Sequence, residues 1–291
     1  MKEHFENDML GFFCKYLTEL GYQLPANQSL HTMTIRYFNV IRRLIPTQPR
    51  IVYFACDFIT PKEYENALDI LKVKFEHGEN VNPHLSTTLL KVDFFDDLLN
   101  DWGIHHFHLG TVIDKRGFIK RTGPLLFAKV TNQAAYFLKI GQHDGLSEKK
   151  LLDTIHDNWP DIIAHYQVKG VLPSNQQMTD EDIRILRKAG ITPITQRTDG
   201  TIHVAPGGGI TLSGNSTLST RKAINVMNWI RALKKDIAAK FITLQMKAQQ
   251  AGFNFNDEAE FGLILERDRI LLIETTSGWK CSLCVFNDLL T

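Results

Sequence analysis

Only four cysteines stand among the 291 residues, at positions 14, 56, 281 and 284. They are too few and too scattered for a disulfide framework, so their chemistry points to a reducing, cytoplasmic compartment. An excess of charge of one sign is also missing: 33 Lys and Arg face 32 Asp and Glu, for a net charge of +1. That balance excludes a generally basic nucleic-acid binder and leaves room for a local basic patch. No run of about 18 apolar residues occurs, so no membrane span is expected. The opening MKEHFENDML carries Glu3, Glu6 and Asp8 and lacks a signal-peptide pattern. Internal repeats and low-complexity tracts are lacking too. Aromatic residues are not: 18 Phe and 7 Tyr spread along the chain argue against disorder. The chain is long enough to bury a core without crosslinks, as one large domain or two modest ones.

Hydrophobic periodicity sets the organisation. Phe5, Met9, Phe12, Phe13, Tyr16, Leu17 and Leu20 recur at helical spacing over residues 4–20. A second amphipathic stretch, Met33 to Leu44, ends before Pro46 and Pro49. Residues 1–49 are therefore expected as a helical N-terminal cap. From residue 51 the run Ile-Val-Tyr-Phe-Ala-Cys reads as a buried strand. Thr60-Pro61 opens a helix that Gly78 stops, and Ser86/Thr87 are expected to cap another that ends at Gly103. Three strands follow, Ile104–Leu109, Leu125–Val130 and Ala135–Ile140, with a further helix after Ser147. The order β-α-α-β-β-β-α over residues 50–165 predicts an antiparallel sheet with flanking helices. The polar stretch beyond residue 165 reads as a boundary. Residues 166–291 are expected as a C-terminal lobe: a helix at Asp180–Lys188, a long helix at Thr217–Gln250 and β-hairpins. The predicted fold class is α+β.

The densest chemistry lies in the first central strand. His105, His106 and His108 fall within four positions. On a strand, His106 and His108 share one face while His105 and Phe107 point the other way. Paired imidazoles suit proton transfer, metal binding or phosphate binding. Lys115, Arg116, Lys120 and Arg121 follow within seven residues, and Arg121 precedes the next strand at the mouth of the sheet. A guanidinium there suits bidentate phosphate binding. His143 closes the third strand in Gly141-Gln142-His143-Asp144-Gly145, where a rigid strand would hold a loop residue in place. Two imidazoles and a guanidinium are enough to cleave RNA through its 2′-hydroxyl. A base removes the 2′ proton, a cation steadies the phosphorane and an acid protonates the leaving oxygen.

The element order, the stretch Arg121-Thr122-Gly123-Pro124 with strand Leu125–Val130, and the following Ala135–Ile140 resemble the RelE/HigB-type toxins. The resemblance covers about residues 50–160. It implies a metal-independent ribonuclease without a cofactor, acting on RNA in association with the ribosome and held in check by an antitoxin protein. It also implies that Arg121 binds the scissile phosphate and that His143 serves as acid or base. His106 and His108 join them from strand geometry, and Lys115, Arg116, Lys120 and Lys129 are the expected substrate-binding cations.

Other signals are weaker. Cys281 and Cys284 form a lone CxxC without a second ligand pair. The Gly207–Gly209 run lacks the spacing and Lys of a nucleotide P-loop. The long helix carries Arg221, Lys222, Arg231, Lys234, Lys235, Lys240 and Lys247 on both flanks of its apolar stripe, where they suit phosphate contact or simple solvation. Two alternatives stay open. One is a non-catalytic module that binds nucleic acid or protein. The other is a metallohydrolase with His106, His108 and Asp144 as ligands.

Overall fold

The structure, a computed structural model, describes residues 1–142, 149–286 and 288. It is α+β, with seven α-helices among the described residues and sheets that include antiparallel strands. The chain folds as two compact units, residues 40–217 and residues 1–39 with 218–291. This differs from the expected boundaries at 49 and 165. Among the described residues, no helix is long and apolar enough to cross a membrane.

The unit of residues 1–39 and 218–291 joins the two ends of the chain. Strand β1 (Lys2–Glu3) pairs in parallel with β8 (Glu260–Glu266), which continues antiparallel to β9 (Arg269–Glu274) and β10 (Lys280–Val285). Helix α1 (Phe5–Glu19) buries Phe5, Met9, Phe13 and Leu17; of the other residues its spacing singles out, Phe12 and Tyr16 are half-buried and Leu20, past the helix end, is exposed. Asp8 accepts a hydrogen bond from the Leu263 N–H at 2.8 Å, which ties α1 to β8. In α7 (Thr217–Gln250), Lys234 bridges Glu3 and Glu6 at 3.1 and 3.2 Å, so part of the helix's basic charge is neutralised within the unit. The N-terminal helix is thus part of a sheet-containing unit rather than a cap. Its apolar stripe is covered by segments distant in sequence.

The unit of residues 40–217 is built on a sheet of order β2-β5-β4-β3. Strands β3 (Ile104–His108), β4 (Leu125–Val130) and β5 (Ala134–Gly141) are antiparallel neighbours. Strand β2 (Ile51–Phe54) lies at the edge and pairs with β5 in parallel, so the sheet is mixed rather than wholly antiparallel. β2 is also exposed, with Ile51 at 60%, because an edge strand has a neighbour on one side only. The strands and α-helices run in the order β2, α3 (Glu65–His77), α4 (Asp97–Trp102), β3, β4, β5, α5 (Lys150–Asn158), with α4 far shorter than the helix expected from Ser86.

Helices cover both faces of this sheet. On one, Leu68, Leu71 and Phe75 of α3 pack with Phe107, Leu126 and Phe137. On the other, Leu151 and Ile155 of α5 pack with Ile104, Leu125, Phe127 and Leu138. Ile183 of α6 (Asp180–Lys188) belongs to this second cluster. Residues 166–217 are therefore part of the sheet's own unit. The ion pair between Arg187 of α6 and Asp101 of α4 anchors them further, at 2.7 Å with both side chains buried.

The end of α4 lies against the glycine run at 207–209. Gly207 and Gly209 donate to the Asp101 and Asn100 carbonyls at 2.7 and 2.8 Å. Arg42 donates to the Leu99 and Gly207 carbonyls at 2.7 and 2.6 Å. A Cβ on Gly207 would stand 2.5 Å from the Asn100 oxygen and 2.6 Å from the Gly103 nitrogen, both backbone atoms. Gly207→Ala is therefore expected to lower stability by about 1–3 kcal/mol, as overpacking does. Urea unfolding checks this, and an unchanged midpoint would refute it.

Candidate active site

The site lies at the end of β3 and the start of β4. Five residue pairs set the register, with His106 opposite Phe127 and His108 opposite Leu125. Alternation puts His106 and His108 on the face of Ile104, and His105 on the face of Phe107. The chain between β3 and β4 makes an excursion bridged at Ile113 and Ile119. Asp114 shapes its tip by accepting from the Arg116 and Phe118 N–H groups at 2.8 and 3.1 Å. Gly110 lets the two limbs meet: a Cβ there would lie 2.8 Å from the Ile119 side chain and 2.9 Å from the Lys120 oxygen. Thr122 then donates to the Leu109 carbonyl at 2.6 Å, and this returns Arg121 to the end of the sheet.

Two hollows meet at Arg121. The first, of about 670 Å³, is lined by His106, Arg121, Asp96, Phe95, Arg184 and Lys188 among others. The second, of about 440 Å³, is lined by His108, Arg116, Lys120 and Arg121. Arg121 is exposed, and among the described residues neither it nor Lys120 makes an ion pair. Arg116 differs: its guanidinium bonds Asp114 at 2.7 and 3.0 Å and holds that carboxyl below its ordinary range. Among the described residues, Arg121 and Lys120 are thus cations of the site without an ion pair, as is Lys188 in the first hollow.

Asp96 stands behind His106. One of its oxygens caps α4 by accepting from the Leu99 N–H at 3.0 Å. The other lies 3.7 Å from His106 Nδ1, a contact that becomes an ion pair when the imidazole is protonated. A helix cap thereby holds a carboxylate where an imidazolium would form. The neighbouring Asp97 carboxyl is raised by burial, against the pull of Arg187. His84 Nδ1 lies 3.0 Å from the His108 carbonyl and donates to it. No family model, curated protein or solved structure matches the chain. The chemistry of the site is therefore argued from its own residues.

The expected residues divide as follows. His106, His108, Arg121, Arg116 and Lys120 line these two hollows, with Arg121 in both. Lys115 sits exposed at the tip of the excursion and lines neither. Lys129 lies at the far end of β4, opposite Ile104, with its ammonium beside the Gly103 backbone. It belongs to another part of the unit, where burial and Arg42 bring its pKa down to about 8. His143 and Asp144 lie outside the described residues. Among the described residues, no three His, Cys, Asp or Glu side chains are grouped as a metal site. Cys281 and Cys284 are free thiols on β10.

Sequence reasoning missed Asp96, Arg184 and Lys188. Asp96 was readable as an N-cap, with Leu98 and Leu99 just beyond it, but it fell inside a longer expected helix. Arg184 and Lys188 share one face of α6 at i and i+4. Nothing local in the sequence places that face against β3.

Proposed function

We propose that the chain is a metal-independent endoribonuclease whose reaction is centred on Arg121. One observation carries this reading: Arg121 belongs to two hollows at once, with His106 in one and His108 in the other. A phosphodiester bound at Arg121 would have an imidazole on each side, as in-line displacement by a 2′-oxygen requires. His106 accepts the 2′ proton and becomes an imidazolium facing Asp96. The 2′-oxygen bonds phosphorus, the bond to the 5′-oxygen breaks, and His108 donates the proton that the 5′-oxygen takes up. The products are a 2′,3′-cyclic phosphate and a 5′-hydroxyl. Arg121 meets the charge that grows on the non-bridging oxygens.

On this reading the chain is a toxin of RelE/HigB type acting in the cytoplasm, in growth arrest or phage defence, with RNA as substrate and an antitoxin as partner. Ribosome association and a contribution from His143 belong to the same proposal. The test is cleavage of labelled RNA in chelator. Arg121→Ala is expected to lower kcat by about 10²–10³, and His106→Ala and His108→Ala by about 10²–10⁴ each. Cleavage that none of the three variants changes would refute the assignment. The burial of His106 and His108, at 8% and 6% exposure, favours one second reading, a module that binds RNA without cutting it. RNA binding with no cyclic phosphate produced would establish it.

A further inference from the structure

A third hollow continues the row. It measures about 400 Å³ and is lined by Tyr64, Asn66, Gly110, Lys120 and Thr122. Lys120 also lines the second hollow, as Arg121 lines both the first and the second. Each successive pair of hollows therefore shares one cation, Arg121 for the first and second and Lys120 for the second and third. All three volumes fall in the usual range for sites that hold small organic groups, roughly 300–1,000 Å³. An aromatic ring stands at each end, Phe95 in the first hollow and Tyr64 in the third. Tyr64 is held in place by its hydroxyl, which donates to the Thr122 carbonyl at 3.2 Å.

That arrangement has the pattern of a single-stranded nucleic acid, in which nucleosides are separated by phosphates. Single-strand sites combine cations that follow the backbone with rings on which bases stack. A duplex does not fit, because its bases are stacked on one another and paired at their edges, so none is free to enter a hollow. A mononucleotide would leave two hollows and one cation unused. Resting on the ribonuclease reading above, we infer that the site takes three consecutive nucleosides of single-stranded RNA. The phosphate at Arg121 is the one cut, and the phosphate at Lys120 serves only to hold the strand. Lys120 is then a binding residue that sets the minimum length of a good substrate.

Two measurements test the inference. Binding is measured on 2′-O-methyl oligonucleotides of two, three and six residues, which cannot be cut through the 2′-oxygen. The trimer is expected to bind about tenfold more tightly than the dimer, and the hexamer less than threefold more tightly than the trimer. The slope of log affinity against log salt is expected to rise by about 0.7 from dimer to trimer, one additional phosphate. Lys120→Ala is expected to remove that rise and collapse the ratio between trimer and dimer. Equal affinity for dimer and trimer would overturn the inference. So would an affinity that climbs evenly to the hexamer, or a trimer advantage that survives Lys120→Ala. Unmodified RNA of the same lengths is assayed in parallel for cleavage. Binding as expected without cleavage would reject the ribonuclease reading and retain the three-nucleoside track. Cleavage of dimer and trimer at equal rates, with equal affinities, would do the reverse.

Discussion

Replacing Asp101 with alanine is expected to cost about 3–5 kcal/mol, a large part of the roughly 5–15 kcal/mol that holds such a unit folded. Asp101 is fully buried, and its carboxylate meets Arg187 at 2.7 Å. The guanidinium also lies over the Trp102 ring, 4.2 Å from its centre. Removing the carboxylate takes from a buried guanidinium the partner it meets at 2.7 Å, and this drives the cost. Removing both charges should behave differently. Asp101→Leu with Arg187→Met strands neither charge and fills the space, so most of the lost stability should return. Urea unfolding of the two single variants and the double variant makes the comparison. If the double variant falls by the sum of the single losses, the pair is not acting as a buried ion pair. Because Arg187 comes from α6, the Asp101→Ala loss also measures how firmly this helix is joined to the sheet.

That join shows what local pattern does and does not carry. Helices α6 and α7 are legible to the residue, because 3.6-residue periodicity and end signals agree. Thr179, for instance, forms a capping box with Asp182 at the start of α6. Strand β4 is legible for the same reason, as a β-rich run between turn residues. The helix expected from Ser86 to Trp102 is not. Ser86 does cap a turn, by accepting from the Thr88 N–H, but that turn is a short 3₁₀ helix ending at Leu90. Lys91 and Asp96 are extended, and Arg43 donates to the Thr88 and Lys91 carbonyls, which a continuous helix would use itself. The carbonyls at the break are taken up by a residue more than 40 positions away. Burial of β2 is misread on similar grounds: Ile51–Phe54 looks like an interior strand, but its neighbours decide its exposure. Pairing of β1 with β8 spans over 250 positions and leaves no trace in a local window. The site follows the same division. His106, His108 and Arg121 come together through one strand register, which the sequence carries. Asp96 and the basic face of α6 arrive through tertiary packing.

The second large effect is on acid stability. Burial lowers His84 from the ordinary value near 6.5 to about 4, with Lys74 adding to the drop against the hydrogen bond to His108. His105 falls to about 3, chiefly by burial, with Arg42, His106 and Lys129 adding to the fall and Asp96 opposing it. Both ring nitrogens of His105 are buried without a hydrogen-bond partner, which fits a neutral ring. Both imidazoles are therefore neutral in the folded chain well below the pH at which the unfolded chain protonates them. Their contribution is complete above about pH 6.5 and is lost as pH falls toward 4 and 3. Each imidazole costs about 1.4 kcal/mol for every pH unit crossed. The net loss by pH 4 is expected to reach several kcal/mol. Unfolding midpoints measured from pH 7.5 to pH 4 should fall steeply below 6.5. His105→Leu should flatten that slope by about half and leave His84 as the remaining source. A slope identical in the variant and the parent chain would show that His105 is protonated, or solvated, in the folded state.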